Sequence, residues 1–165
     1  MTIDPISSLC ASTPAEFANS EFLLVGGTLA DSIAAANAVA GSYAVFDATR
    51  LAKGAARAEA ALGRIEILLY PRSLLIDGLS RMEIASERRQ RGIGRRLIQS
   101  LAATTPEFEL NIYDIRPASL DFWIALGCNF RRRPGGWEAS YILPQNLRPH
   151  LPDSPRRVEA LRQAL

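Results

Sequence analysis

Nine consecutive residues, Arg88-Arg89-Gln90-Arg91-Gly92-Ile93-Gly94-Arg95-Arg96, hold five arginines and two glycines. Just before them stands the hydrophobic strand end Met82-Glu83-Ile84, and from Ile93 onward Leu97, Ile98, Leu101 and Ala102 recur at the spacing of one helical face. The chain thus passes from a strand through a basic turn into a helix. The first N–H groups of a helix have no intrahelical partner and carry partial positive charge, so an anion placed there is stabilised twice over. Gly92 and Gly94, without Cβ atoms, let the main chain approach that anion and adopt dihedrals closed to other residues. The arginines add charge around it. A phosphate-bearing ligand is the chemistry this pattern serves. The plainer alternative is an arginine-rich surface turn whose glycines only permit the bend.

Three glycine loops that hold phosphate need separating. A P-loop ends in Gly-Lys-Ser/Thr, whereas Gly94 is followed by Arg95-Arg96, which leaves no hydroxyl for Mg²⁺. A dinucleotide fingerprint needs a third glycine, and Gly92-Ile93-Gly94 continues Arg95-Arg96-Leu97. The pattern that fits is Arg/Gln-x-x-Gly-x-Gly/Ala after a hydrophobic strand. In this respect Arg89 to Gly94, after Met82 to Ile84, resembles the acyl-CoA-binding signature of the GNAT superfamily of CoA-dependent N-acyltransferases.

The elements that must hold this turn can be read from periodicity. Ile65, Ile67 and Leu69 alternate with polar residues up to Pro71, as in a half-buried strand, and Leu75 to Ala85 reads as its antiparallel partner. Leu75 and Leu79 fall on one phase of that partner and Met82 and Ile84 on the other, which predicts a bulge near residues 80 and 81. Phe108, Leu110 and Ile112 give a strand after the helix, so strand, helix and strand form a parallel crossover. Arg116-Pro117 opens a compact helix to Leu126, stopped by Gly127. Phe130 and the alternating Trp137, Ala139, Tyr141 and Leu143 supply the last strands, around the turn Pro134-Gly135-Gly136. Nearer the start, Phe22 to Val25 predicts a first strand ending at Gly26-Gly27, and Asp31 caps an alanine-rich helix through Val39. Tyr43 to Leu62 is left open between strand, helix and loop.

A second stretch extends the resemblance. GNAT proteins carry Asn-x-x-Ala-x-x-aromatic-Tyr-x-x-x-Gly-Phe in this region, and here Arg116, Ser119, Phe122, Trp123, Gly127 and Phe130 stand in the corresponding run. Three departures stand out: Arg116 replaces the asparagine, the expected Gly-Phe is displaced into Gly127-Cys128-Asn129-Phe130, and Trp123 occupies the position of the tyrosine that usually protonates the departing thiolate. An indole N–H donates a hydrogen bond but has no useful acidity. Trp123 is equally readable as a core aromatic closing its helix against the sheet. The resemblance implies an α+β, mixed α/β fold: one GNAT-like domain over residues 1–143, with helices on both faces of a mostly antiparallel sheet splayed at the strand before the signature helix. It implies acetyl-CoA as cosubstrate, with Met82, Glu83 and Ile84 giving main-chain groups to its pantetheine arm. Arg89, Gln90, Arg91, Gly92, Ile93, Gly94 and Arg95 would hold its pyrophosphate, and Arg116, Ser119, Phe122 and Trp123 would line the site. The catalytic candidates are Glu83, Trp123 and Tyr113, with Glu83 the first choice as base, Asp77 a further candidate and the Ile84 N–H an oxyanion donor. Glu83 also reads as a solvated strand-face charge.

The expected function is transfer of acetyl from acetyl-CoA to an amine by direct attack. The alternative is a GNAT-fold acyl-CoA-binding protein, weak or inactive as a catalyst, that acts as sensor, regulator or partner. A third reading, a nucleic-acid-binding module, fits poorly a single basic cluster without interleaved exposed aromatics. Composition agrees: 165 residues with 48% hydrophobic and 22% charged residues and a net charge of +2 make one ordinary globular domain. The N-terminus has no basic leader before a sustained apolar run, which predicts a cytoplasmic protein without a membrane partner. Cys10 and Cys128 lack metal-ligand spacing, and the one histidine, His150, sits between Pro149 and Leu151, so no metal is expected. From Pro144 the chain turns proline- and arginine-bearing and ends in a short predicted helix, Arg156 to Ala164. That 144–165 extension is compatible with covering the site or a partner subunit in a homodimer.

Overall fold

In a computed structural model, the structure describes residues 2–8, 16–35, 38–69, 76–89 and 91–149, with the side chains of 7, 8, 27–35, 38, 39 and 106 outside the description. The strands among these residues are β1 (Ser7–Ser8), β2 (Glu16–Ala18), β3 (Phe22–Ala35), β4 (Ala38–Asp47), β5 (Ala61–Leu69), β6 (Ile76–Ile84), β7 (Glu109–Ile112), β8 (Asn129–Arg133) and β9 (Gly136–Ile142). They form one open sheet of order β1-β2-β3-β4-β5-β6-β7-β9-β8. Every neighbouring pair is antiparallel except β6 and β7, which are parallel. The helices are α1 (Ala48–Ala52), α2 (Arg57–Ala60), α3 (Ile93–Ala102) and α4 (Leu120–Leu126). The fold is therefore mixed α+β with a mostly antiparallel sheet, and the single parallel step is the β6-α3-β7 crossover expected from the sequence.

The β6 bulge falls where the phase break required it. Glu66 pairs with Arg81 and Ile67 with Leu79, so Ser80 is the inserted residue. A second insertion, not foreseen, leaves Asp77 between Ile76 and Gly78. The two bulges shift the parity of β6 so that Ile76 and Leu79 are fully buried, while Met82 and Ile84 pack against the edge of the same cluster.

One expectation is overturned. Among the described residues no helix follows Asp31: β3 runs on through Gly26-Gly27 to Ala35 and pairs with β4 at Leu29–Gly41, Ile33–Val39 and Ala35–Ala38. Alanine's helix preference is only a few tenths of a kcal/mol per residue over most others, and a ladder to a neighbouring strand outweighs it. The open stretch from Tyr43 resolves into the end of β4, then α1 and α2. Asp47 caps α1 through a bond from the Arg50 N–H at 3.1 Å.

The core is one contiguous cluster in which Leu97, Ile98, Leu101 and Ala102 of α3 and Trp123 and Leu126 of α4 meet Ile65, Ile67, Leu79, Leu110 and Ile112 of the sheet. These α3 residues are the apolar face predicted by spacing. Each fully buried leucine or isoleucine contributes roughly 1.5–3 kcal/mol. Ile67 is fully buried, so Ile67→Val should cost about 0.5–1.5 kcal/mol, read as a lower urea midpoint with an unchanged slope. Around Pro144 the packing is continuous. Ile3 N–H donates to the Leu147 carbonyl at 2.8 Å and Arg148 Nε to the Leu143 carbonyl at 2.9 Å. The predicted helix from Arg156 lies outside the described residues.

Candidate functional site

A cavity of about 870 Å³ opens where β6 and β7 part company. The two strands pair only at Gly78–Asn111 and Leu79–Ile112, and the Tyr113 N–H adds a bond to the Leu79 carbonyl at 2.9 Å. Beyond Leu79, β6 continues for five residues with no ladder partner on this side among the described residues. Its free edge is defined by the pairing on the other side. The Ala85 N–H donates to the Leu62 carbonyl at 2.8 Å, which makes Gly63–Ile84 a pair whose own groups turn outward. Met82 and Ile84 therefore present main-chain N–H and C=O groups to the cavity. Arg89 Nε already donates to the Ile84 carbonyl at 2.9 Å, which leaves the Ile84 N–H without a partner among the described residues.

The second wall is the start of α3. Gly92 is its N-cap at φ 72°, a left-handed conformation that favours glycine, and among the described residues no side chain caps the helix. The first-turn N–H groups of Ile93, Gly94 and Arg95 thus open onto the cavity. At Gly94 the constraint is space: a Cβ would lie 3.2 Å from the Phe122 ring and 3.5 Å from the Met82 methyl. Arg88, Arg89 and Arg95 line the cavity as well. Arg88 Nη2 donates to the Glu59 carbonyl at 2.7 Å, whereas its Nε is buried and has no partner. A buried guanidinium N–H left unpaired carries a desolvation cost. Arg95 Nη2 ties α3 to α4 through the Ala125 carbonyl at 3.1 Å.

The third wall comes from the loop after β7 and from α4, which Gly127 ends at φ 86° as expected. Tyr113, Arg116, Ser119, Phe122 and Trp123 all line the cavity. The Trp123 ring is 4% exposed and meets Phe122 edge-on at 4.8 Å, and its Nε1–H donates to Ser119 Oγ at 3.3 Å. Ser119 in turn donates to the Arg116 carbonyl at 3.0 Å. Trp123 is thus both core aromatic and cavity wall, with its one donor already used. Ser119 and Trp123 stand four residues apart, so sequence spacing alone carried a signal for this bond.

Most of the expected site residues come together here, and the exceptions have causes. Gln90 lies outside the described residues. Arg91 is exposed and away from the cavity wall, and Arg96 is held by Glu21 at 3.0 Å. Glu83 lines the cavity with an exposed carboxylate that makes no hydrogen bond among the described residues. Asp77 is spoken for: its carboxylate accepts from Asn111 Nδ2 at 3.1 Å and from the Tyr113 hydroxyl at 3.0 Å. Arg88 was not among the expected ligands; its buried Nε is a tertiary feature with no sequence signal beyond charge. Cys128 lies outside the cavity wall, and burial pushes its thiol up to about 11. In a Cys10→Ser variant, disulfide-reagent labelling of Cys128 at pH 8 should run about a hundredfold slower than that of a free thiol, and should accelerate as pH rises toward 11.

The arrangement has two chemical capacities: to hold an anion at an uncapped, arginine-flanked helix start, and to pair an extended ligand against the outer edge of β6. Comparison of this chain with protein-family models, curated proteins and solved structures gives no match. Among the described residues no helix is long and apolar enough to cross a membrane.

Proposed function

We propose that the protein is an acetyl-CoA-dependent N-acyltransferase of the GNAT type, with the pyrophosphate at the start of α3 and the pantetheine arm along Met82 and Ile84. The observation that carries this reading is the meeting, in one cavity, of an uncapped glycine-flanked helix start with an unpaired strand edge. The residues fit the ligand. Arg88, Arg89 and Arg95 line the cavity as cations for the phosphates, and the missing Cβ at Gly94 lets the Phe122 ring close against the helix start. Bound acetyl-CoA supplies an activated acyl carbon, which an amine nitrogen attacks as the C–S bond breaks and the electron pair leaves with sulfur. Glu83 accepts the proton that the amine gives up, and a main-chain N–H of the unpaired β6 edge stabilises the oxygen that becomes negative. Trp123 delivers no proton. The sulfur leaves as thiolate, a competent leaving group near neutral pH, and takes its proton from water.

A second reading, acyl-CoA binding without turnover, is favoured by one observation: the Trp123 N–H is donated to Ser119 and the Tyr113 hydroxyl to Asp77. Neither donor is held for a departing sulfur. Calorimetric titration with acetyl-CoA tests both readings, with a dissociation constant around micromolar expected, or about −8 kcal/mol. No heat at millimolar ligand would overturn both. Thiol release on incubation with a panel of amines, above the rate of acetyl-CoA hydrolysis, then separates the enzyme from the binder.

A further inference from the structure

A second cavity, of about 190 Å³, lies on the sheet face opposite the core. Leu110 and Ile112 of β7 point into the core, so Asn111 and Tyr113 stand on the other face. The ladders set Ser140 of β9 and Asn129 of β8 beside Asn111, with Glu138 and Arg131 in the next row. All of these residues line the cavity. Charge is distributed unevenly across it. Arg133 Nε is paired to Glu138 at 2.9 Å, whereas Arg131 makes no hydrogen bond or ion pair among the described residues. Arg131, opposite Glu138 on the neighbouring strand, is thus the cation at one end whose donors are free among the described residues. At the other end stand Tyr113 and Asn111, both held by the Asp77 carboxylate behind the cavity wall.

Tyr113 also lines the large cavity, so the two spaces meet at this residue. The small one has room for about six waters, the bulk of a small amino acid. Its positive end suits a carboxylate. Its other end, at Tyr113, borders the large cavity, where the amino group must lie to reach the acetyl carbon.

We propose that this second cavity is the acceptor site and that the acceptor is a small zwitterionic amine, with its carboxylate at Arg131 and its amino group at Tyr113. The proposal rests on the acyl-transfer reading above. The ammonium group first gives one proton to solvent. Its nitrogen then bonds to the acetyl carbon and gives its second proton to Glu83, while the C–S bond breaks and the sulfur takes up one proton from water. The product is an N-acetylated carboxylate.

The test titrates the twenty common L-amino acids singly, at millimolar concentration, into the full chain without acetyl-CoA, followed by saturation-transfer NMR. The carboxamide of the best binder serves as the neutral control. Selective binding of one or a few amino acids is expected, with the carboxamide at least tenfold weaker, since a charge-assisted bond is lost. Arg131→Gln should lose the same tenfold and Arg131→Lys should recover part of it, while both keep wild-type circular dichroism and acetyl-CoA affinity. Arg131 is exposed on its strand, so neither variant threatens folding. Equal binding of acid and carboxamide, or no binding by any amino acid, would overturn the acceptor site whether or not acetyl-CoA binds. Selective carboxylate binding with no acetyl-CoA binding would uphold the cavity as an amino-acid site and overturn the transferase role given to it.

Discussion

Gly92→Asp should lower acetyl-CoA affinity at least a hundredfold, whereas Gly92→Asn should lower it only about tenfold. The comparison isolates charge, because Asn and Asp are nearly isosteric and both tolerate the left-handed conformation that Gly92 holds at φ 72°. Space is not limiting: a Cβ at this position meets only the Arg96 Nη1 end, at 3.4 Å. Either side chain, placed at the N-cap, would bond to the first-turn N–H groups that no side chain now occupies. Both therefore compete with the phosphate for donors, which is the tenfold. Only aspartate also sets a negative charge against it. At about 5 Å and an effective dielectric near 20 that repulsion is roughly 3 kcal/mol before screening, ample for the further tenfold. Calorimetry checks the affinities and thermal melts check folding. S-acetylpantetheine, which lacks the pyrophosphate, should bind both variants as it binds the wild type. Equal affinity of the two variants for acetyl-CoA would place the phosphate elsewhere.

The parts of the fold visible in the sequence are those set by local periodicity. The α3 face at Ile93, Leu97, Ile98, Leu101 and Ala102 is buried residue for residue, because a 3.6-residue period against a single core admits one orientation. The phase slip between Leu79 and Met82 located the Ser80 bulge for the same kind of reason. Where local preference and tertiary pairing disagree, the sequence misled. Nothing in Asp31 to Val39 announces that β4 will supply a ladder to β3, and alanine points weakly the other way.

The site shows the same division. That the strand end, the basic turn and the α4 residues meet in one cavity follows from the order of elements. How the polar groups are spent does not. Arg96 reaches Glu21, 75 residues earlier in the chain, and Asp77 takes up Asn111 and Tyr113 from a strand beyond α3. Those partners depend on contacts that only the assembled sheet creates. As a result the arginine cluster, uniform in sequence, divides in the fold into cavity-lining Arg88, Arg89 and Arg95 and outlying Arg91 and Arg96.

Trp123 is where structure and chemistry are most entangled, and two substitutions separate them. Trp123→Ala should destabilise the protein by about 3–5 kcal/mol, because the ring is 4% exposed and joins α4 to the core. Acetyl-CoA binding should fall with it, since Phe122, which packs edge-on against Trp123, also forms the floor over Gly94. Loss of activity in this variant would therefore say nothing about proton transfer. Trp123→Phe keeps most of the ring contact and removes only the N–H donated to Ser119 at 3.3 Å. That bond is long, and its partner keeps its own bond to the Arg116 carbonyl, so the cost should be about 1 kcal/mol or less. If the indole acts only as a wall, thiol release by Trp123→Phe should stay within about threefold of wild type, with an unchanged pH profile. A drop of a hundredfold or more, with binding intact, would mean that the N–H leaves Ser119 during turnover to stabilise the departing sulfur. Trp123→Tyr then sharpens the contrast. It restores an acidic O–H in nearly the same space, and in the donor case it should raise the rate above wild type at pH values where free thiolate is otherwise scarce, below about 8. In the wall case it should do no more than Trp123→Phe does.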